Sequence, residues 1–480
     1  MNILFAASEV APFAKTGGLA DVAGSLPAAL ARLGHDVRVV LPRYQRVDPG
    51  RFGLHHVAAF FVPFASWRER CDVFEGRLGG RVAVYCIGKD IYFNRPELYG
   101  TRYGDYRDNA ERFSFFSRTV PELCRAAGFS PDIIHCNDWQ TGLVPLYLRK
   151  FYRHDPLLHN AHTVLTIHNL GYQGIFGHRD LRLTGIGEED FTPAGIEFWG
   201  NMNFLKAGIQ FADAITTVSR TYSREIQTPE DGHGLDGVLR NRSAALYGIV
   251  NGVDYDEWDP ARDTTIAMPY DAKRLSGKED CRRALRQELA LPDTKAPLIG
   301  MVTRLSDQKG LDILIDALPG ILALGCPVVI LGTGDEQYHR RLGDLALTYR
   351  EQLRVLLTFD DALARRIYAG SDLYLMPSRY EPCGLGQMLA LRYGSVPVVR
   401  RTGGLADTVT DYVARTGRGT GFVFDEYAPG ALTACIRRAV GVFRRPAAWK
   451  RIMRTGMQAD FSWTRSAEEY VAVYRKVIGT

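Results

Sequence analysis

Asn2-Ile-Leu-Phe-Ala-Ala-Ser8, then Leu19, Val22, Leu26, Leu30 and Leu33, then Asp36-Val-Arg-Val-Val-Leu41 together decide the fold class. The first run is short and apolar, as a strand buried on both faces must be. The next five residues recur at helical spacing up to Gly34, where the helix should stop. The third run supplies another strand, so the chain opens on a strand–helix–strand unit with parallel strands. Pro27 inside the helix predicts a kink, because its ring removes a backbone hydrogen bond.

The same rhythm continues outward. Apolar strands are expected at 82–87, 132–136, 164–167, 214–218 and 247–250, with helical patterns at 141–151 and 219–226. Residues 251 to about 275 break the alternation with Asp254, Asp256, Asp259, Pro260 and Pro269, and read as a linker. A second series follows, with strands at 298–302, 328–331, 354–358, 373–376 and 396–399 and helices at 311–324, 362–369 and 385–393. The fold class is therefore α/β, with two doubly wound Rossmann-like domains, 1–252 and 253–460. Ligands in such sheets bind at the carboxyl ends of the strands, and two facing halves would form one deep cleft.

Composition agrees. A chain of 480 residues exceeds one core, since single cores stop growing near ~250–300 residues. Its 46% hydrophobic and 24% charged residues exclude disorder, collagen and coiled coil. No apolar stretch approaches the roughly 18 residues of a membrane span, and the run after Met1 reads as a core strand and not a signal peptide. The 59 basic and 54 acidic side chains leave only +5, without a Lys/Arg run, which argues against nucleic acid. Eight cysteines without a CxxC pair suggest reduced thiols and a cytoplasmic protein.

The polar loops at the strand ends carry the chemistry. Lys15-Thr-Gly17-Gly18-Leu-Ala-Asp21 opens the first helix, where two glycines let amides approach an anion beside a lysine. A glycine-eased turn with a solvated lysine accounts for it equally well. Thr303-Arg304-Leu-Ser-Asp-Gln-Lys309 could bring two cations to a diphosphate, or simply begin a helix. In Met376-Pro-Ser-Arg-Tyr-Glu381-Pro-Cys383-Gly384-Leu385, the glutamate could accept sugar hydroxyls and the amides from Gly384 could meet phosphate or ribose oxygens. It could also only complement the helix dipole. His168 and Asp138 end strands and are open to packing or functional roles. HExxH, GxSxG and GxGxxG are absent, and Gly332-Thr-Gly334 lacks the third glycine of a dinucleotide site. Asp254-Tyr-Asp256 matches a metal-binding DxD but has no strand leading into it, so it reads as solvated loop.

The ordered set of Lys15-Thr-Gly-Gly-Leu-Ala-Asp-Val, Asn137-Asp138-Trp139, Thr166-Ile-His168-Asn169-Leu, Asn251-Gly-Val-Asp254, Thr303-Arg304-Leu-Ser-Asp-Gln-Lys309-Gly, Ser378-Arg-Tyr-Glu381-Pro-Cys383-Gly-Leu and Arg401-Thr-Gly-Gly-Leu-Ala-Asp-Thr-Val409 resembles the bacterial glycogen synthase and plant starch synthase family. TGGLAD occurs twice, at 16–21 and 402–407, one copy in each half.

The resemblance implies a GT-B fold whose last helix, 461–480, crosses back to the first domain. It implies retaining transfer of glucose from ADP-glucose to the non-reducing end of an α-1,4-glucan, with no metal or other cofactor and no nucleic acid or membrane partner. Arg304 and Lys309 would neutralise the departing diphosphate, assisted by Lys15 and the amides near Gly17, Gly18 and Gly384. Glu381 would sit at the glucose hydroxyls and His168 beside the anomeric carbon. Asp21 and Asn251 would line the donor pocket with Cys383 and Leu385, while Asp138 and Glu9 face the acceptor. The first domain would take the acceptor and the second the donor. Leu389 stands where the broader E-x7-E signature has a second glutamate, and Gly386 where some relatives carry a hydroxyl residue. UDP-glucose use, a different acceptor or a silent glucan-binding relative are the alternative readings. The sequence assigns no oligomeric state.

Overall fold

The computed structural model describes residues 1–101 and 103–479; residue 480, the last of the expected terminal helix, lies outside the described residues. The chain divides into two compact units, Met1–Gly252 together with the chain from Trp463 onward, and Val253–Ser462.

The first unit is built on a nine-stranded sheet. Its strands are β1 (Asn2–Ala6), β2 (Asp36–Pro42), β3 (His55–Phe64), β4 (Trp67–Leu78), β5 (Val82–Gly88), β6 (Ile133–Asn137), β7 (His162–Ile167), β8 (Ala214–Thr217) and β9 (Leu246–Gly248). The spatial order is β9-β8-β7-β6-β1-β2-β5-β4-β3. Pairing is parallel from β9 through β5, and antiparallel across β5-β4 and β4-β3. The antiparallel β3-β4 hairpin corrects the expectation of a purely parallel sheet. An antiparallel pair needs no crossover helix, so the strand–helix rhythm carries no trace of it. β1 and β6 are buried almost end to end, as strands covered on both faces are.

Helix α1 (Gly18–Arg32) buries Leu19, Val22, Leu26 and Leu30 and runs through Pro27 as one element. Leu33 lies past its last residue, and Gly34 follows at φ +90°. The terminal helix Trp463–Ile478 packs on α1, returning to the first unit as expected. Its Tyr474 hydroxyl lies 2.6 Å from Nδ1 of His135 on β6, and Ser466 Oγ donates to Val250 O at 2.7 Å.

The second unit holds a six-stranded, wholly parallel sheet. Its strands are β10 (Ile299–Val302), β11 (Val328–Leu331), β12 (Leu353–Leu356), β13 (Leu373–Met376), β14 (Val396–Arg400) and β15 (Phe422–Phe424), in the order β12-β11-β10-β13-β14-β15. Helices α2 (Leu311–Leu322) and α3 (Gly386–Arg392) follow β10 and β13. The segment read as a linker is instead packed into this unit. Asp263 is buried and accepts from the Tyr393 hydroxyl at 2.6 Å, and the Tyr270 hydroxyl donates to Tyr393 O at 2.7 Å.

Strand order reverses between β1 and β6 in the first unit and between β10 and β13 in the second. A crevice opens at the carboxyl ends of the strands at such a point; the loops of Lys15, Asp138, Arg304 and Glu381 follow these four strands, and that of His168 follows the adjacent β7. Among the described residues no helix is long and apolar enough to cross a membrane.

Candidate functional site

Glu9, in the loop after β1, is buried and saturated by the chain itself. Its Oε2 accepts the amides of Thr16 at 2.6 Å and Gly17 at 3.0 Å, and its Oε1 accepts the hydroxyls of Thr16 and Tyr99, each at 2.7 Å. Charge-assisted bonds of this kind are the strong ones, so Glu9 fixes the turn that carries Lys15. Glu9 does not present free oxygens to an acceptor, and the Gly17 amide is committed to Glu9. Gly18 opens α1, where the first amides lack intrahelical partners.

Lys15 Nζ donates to Asp21 Oδ1 at 2.6 Å, with the two side chains 51% and 35% exposed. Exposed pairs are weak, so a more highly charged anion can draw the lysine away. A Cβ placed on Gly17 or Gly18 would meet nothing within 4 Å, and Gly17 has an ordinary φ of −143°. Neither backbone nor packing requires glycine here. What the two positions keep open is space beside the helix mouth.

At the ends of β6 and β7, Asp138 holds φ +54° and ψ −171°, a conformation that costs a non-glycine residue ~1–3 kcal/mol. It turns Oδ1 onto the His168 amide at 2.7 Å. Burial pushes the Asp138 carboxyl up to about 7, against the pull of the His168 and Asn169 amides. Asp138 thus positions the backbone of His168, a role the sequence reading did not give it.

The His168 Nε2 lies 2.9 Å from Asn137 Oδ1, while Asn137 Nδ2 donates to Ala6 O at 3.0 Å. The amide oxygen therefore faces the ring, Nε2 carries the proton and Nδ1 is the acceptor. Burial lowers His168 to about 3, so the ring is neutral at ordinary pH. Asn251 is buried, and its Oδ1 has no hydrogen-bond partner among the described residues.

In the second unit the loops after β10 and β13 are locked together. Gly310 holds φ +69°, and a Cβ there would fall 2.0 Å from Pro377 O; the Arg379 amide donates to Gln308 O at 2.9 Å. Lys309 Nζ donates to Glu381 Oε2 at 2.7 Å, and Ser378 Oγ donates to the same oxygen at 3.0 Å. Lys309 is thus paired with the buried glutamate. Glu381 Oε1 makes no hydrogen bond among the described residues. Arg304 is exposed, and its guanidinium has no hydrogen bond or ion pair among the described residues.

Cys383 is buried, Gly384 takes φ +72°, and Leu385 precedes α3. Fully buried Gln387 binds the loop from below, donating to Cys383 O at 3.0 Å, Gly384 O at 2.9 Å and Thr408 Oγ1 at 3.0 Å. The second TGGLAD copy closes against the same loop. Cβ atoms on Gly403 and Gly404 would fall 1.9 Å from Glu381 O and 2.0 Å from Cys383 O.

The first unit thus gathers Glu9, Lys15, Gly17, Gly18, Asp21, Asp138 and His168 around one switch point, with Asn251 beyond β9. The second gathers Arg304, Lys309, Glu381, Cys383, Gly384 and Leu385 around the other. Asn137, Ser378 and Gln387 belong to these sites and were not expected; the first two stand inside the quoted stretches.

Residues 2–241 match the family model for the starch synthase catalytic domain, and residues 282–447 that for glycosyl transferases group 1. A glycogen synthase of Syntrophotalea carbinolica is 50% identical, aligned over 100% of this chain and 99% of its own. One of Desulforudis audaxviator is 47% identical over 99% of this chain and 96% of its own. The solved catalytic domain of starch synthase IV from Arabidopsis thaliana, bound to ADP and acarbose, is 35% identical with a TM-score of 0.91, covering 100% of this chain and 99% of that one. A sucrose-phosphate synthase from Thermosynechococcus elongatus, 18% identical with a TM-score of 0.62 over 100% of this chain and 99% of its own, shares the fold.

Proposed function

The chain belongs to the glycogen synthase and starch synthase family, and on that premise we propose that it lengthens an α-1,4-glucan by retaining transfer of glucose from ADP-glucose. The second unit takes the donor and the first the glucan acceptor. The observation that carries this reading is the set at the second switch point. Uncommitted Arg304 and paired Lys309 supply cations for a diphosphate beside a buried glutamate with one oxygen left to accept sugar hydroxyls. Phe359 offers an exposed ring on which a nucleotide base stacks.

In the reaction the C1–O bond to the diphosphate breaks and its electron pair stays on the phosphate. The acceptor 4-hydroxyl bonds to C1 on the same face, and its proton passes to the departing phosphate oxygen. Fixed cations and amides stabilise charge that develops on the leaving group, and we propose that they do so without a divalent ion. Held neutral, His168 serves as an orienting group, with Nδ1 accepting a sugar hydroxyl. Asn251 Oδ1 is a second acceptor awaiting a donor. The eight free, buried cysteines support a reducing, cytoplasmic setting.

Incorporation of label from ADP-[¹⁴C]glucose and UDP-[¹⁴C]glucose into glycogen tests the assignment. ADP-glucose should be strongly preferred, EDTA should leave the rate unchanged, and Arg304→Ala should lower it roughly 10²–10³-fold by analogy with loss of an oxyanion donor. Equal use of both donors, loss of activity with EDTA that manganese restores, or an unaffected Arg304→Ala would each defeat a stated part.

A further inference from the structure

Gln387, in the first turn of α3, is fully buried, yet it carries an amide where an aliphatic side chain would pack. Its Nε2 donates to the carbonyls of Cys383 at 3.0 Å and Gly384 at 2.9 Å, and to Thr408 Oγ1 at 3.0 Å. Carbonyl oxygens only accept, so the nitrogen and not the oxygen must meet them. The Oε1 atom is left buried with no hydrogen-bond partner among the described residues, which costs free energy. A methionine would fill this volume without that cost. Packing alone does not account for glutamine; the donated bonds do.

In a planar trans peptide the carbonyl and the following amide point in opposite directions. Drawing the Cys383 and Gly384 carbonyls onto buried Gln387 therefore turns the Gly384 and Leu385 amides away from the interior. Those two amides make no hydrogen bond among the described residues. Gly384 and Leu385 are half-buried, between buried Cys383 and Gln387. Gly384 at φ +72° is followed by Leu385 at φ −104° and ψ −33°. A left-handed and a right-handed residue in succession aim consecutive amides into one concavity suited to an anion. A Cβ on Gly384 would fall 2.4 Å from Gln387 Oε1, so the glutamine and the turn fit together only around a glycine. Thr408 Oγ1, which accepts the third bond, donates to Gly404 O at 2.6 Å, and the Gly404 amide donates to Glu381 O at 3.0 Å.

We propose that Gln387 is a positioning residue for the donor: it acts through the loop backbone and holds the Gly384 and Leu385 amides open to the diphosphate. The inference rests on the donor reading given above and adds to it the group that sets these amides. The second TGGLAD copy supports that group through Thr408.

Calorimetry of ADP binding and steady-state kinetics on the full chain test the role, with a thermal melt of each variant. Gln387→Met keeps the volume and removes the N–H donors. It should raise Kd for ADP and KM for ADP-glucose at least tenfold, and leave KM for glucan within twofold of wild type. In Gln387→Glu only the protonated carboxyl can donate to a carbonyl. Its KM for ADP-glucose, taken relative to wild type at each pH, should fall at least fivefold from pH 8 to pH 6. The same ratio in Gln387→Met should stay flat. Unchanged donor binding in Gln387→Met, or equal rises in KM for donor and glucan, overturns the positioning role. Should that variant fail to fold, a ratio in Gln387→Glu that ignores pH overturns it. Wild type that binds no ADP overturns the donor reading itself and this inference with it, whereas wild-type ADP binding matched by both variants overturns this inference alone.

Discussion

Lys309 Nζ lies 2.7 Å from Glu381 Oε2, with side chains only 19% and 6% exposed. The pair joins the loop after β10 to the loop after β13, so one ion pair spans the strand-order reversal of the second sheet. Removing either partner strands the other charge, which costs about 3–5 kcal/mol for a buried pair. Lys309→Met and Glu381→Gln should each lower denaturant stability on that scale. The double variant should recover part of the loss, because the unpaired charge disappears with its partner. Turnover should stay low in all three. Strictly additive stability losses would show that the two residues do not act as a pair.

Acid stability reports the buried imidazoles. Burial lowers His135 and His168 from 6.5 to about 3, so the folded state refuses protons that the unfolded chain accepts. Their contribution is intact above pH 6.5 and is lost as pH falls from there toward 3. Asp138, raised from 3.8 to about 7, acts in the opposite sense: its contribution is present below 3.8 and lost as pH rises through 7. Between 3.8 and 6.5 two histidines oppose one aspartate, a net of one proton or ~1.4 kcal/mol per pH unit lost on acidification. Asp138→Asn keeps an oxygen for the His168 amide and tolerates positive φ. Urea melts of this variant from pH 4.5 to 6.5 should show a slope steeper than wild type by ~1.4 kcal/mol per pH unit, and an unchanged slope would refute the ionisation assigned to Asp138.

The parallel framework was legible because each buried strand announces itself as an apolar run and each crossover helix as a period near 3.6. Gly34 and the strands Val328–Leu331 and Leu373–Met376 fall where that logic puts them. The helix Ser276–Glu288 was not seen, since Cys281 and Leu285 are its only buried apolar side chains, while Lys278 and Arg286 are buried with them. Site positions were legible as polar loops after apolar strands. Their pairings were not. Lys309 and Glu381 are 72 residues apart, and only the folded chain shows that one holds the other. Nor does composition reveal that Glu9 spends its carboxylate on the turn eight residues later, or that Asp138 adopts a backbone angle suited to glycine.

The return of the terminal helix depends on Gly252. A Cβ there would lie 2.5 Å from Trp463 Cα and 2.6 Å from its indole ring, and the backbone atom cannot rotate aside. Gly252→Ala should therefore cost about 1–3 kcal/mol, as overpacking does, and loosen the helix that carries Tyr474 to His135. Limited proteolysis should cut the variant near residue 463 faster than the wild type. Equal cleavage rates and equal melting would mean that the helix seats without this contact.

The two copies of TGGLAD give a test in which one substitution has opposite consequences. At Gly17 and Gly18 a methyl group meets open space, so Gly17→Ala and Gly18→Ala should fold with wild-type stability. If that space receives the diphosphate, both variants should raise KM for ADP-glucose tenfold or more, the methyl group standing where phosphate oxygens approach the amides. At Gly403 and Gly404 the same methyl group collides with the carbonyls of Glu381 and Cys383, and Gly404 also donates its amide to Glu381 O at 3.0 Å. Gly403→Ala and Gly404→Ala should lose stability, melting several degrees lower, and should lose turnover because the loop holding Glu381 must shift. Comparing melting temperature with KM across the four variants separates the roles. Unstable variants at 17 and 18 would assign the first copy to packing, and a normal KM there would remove the diphosphate from the mouth of α1.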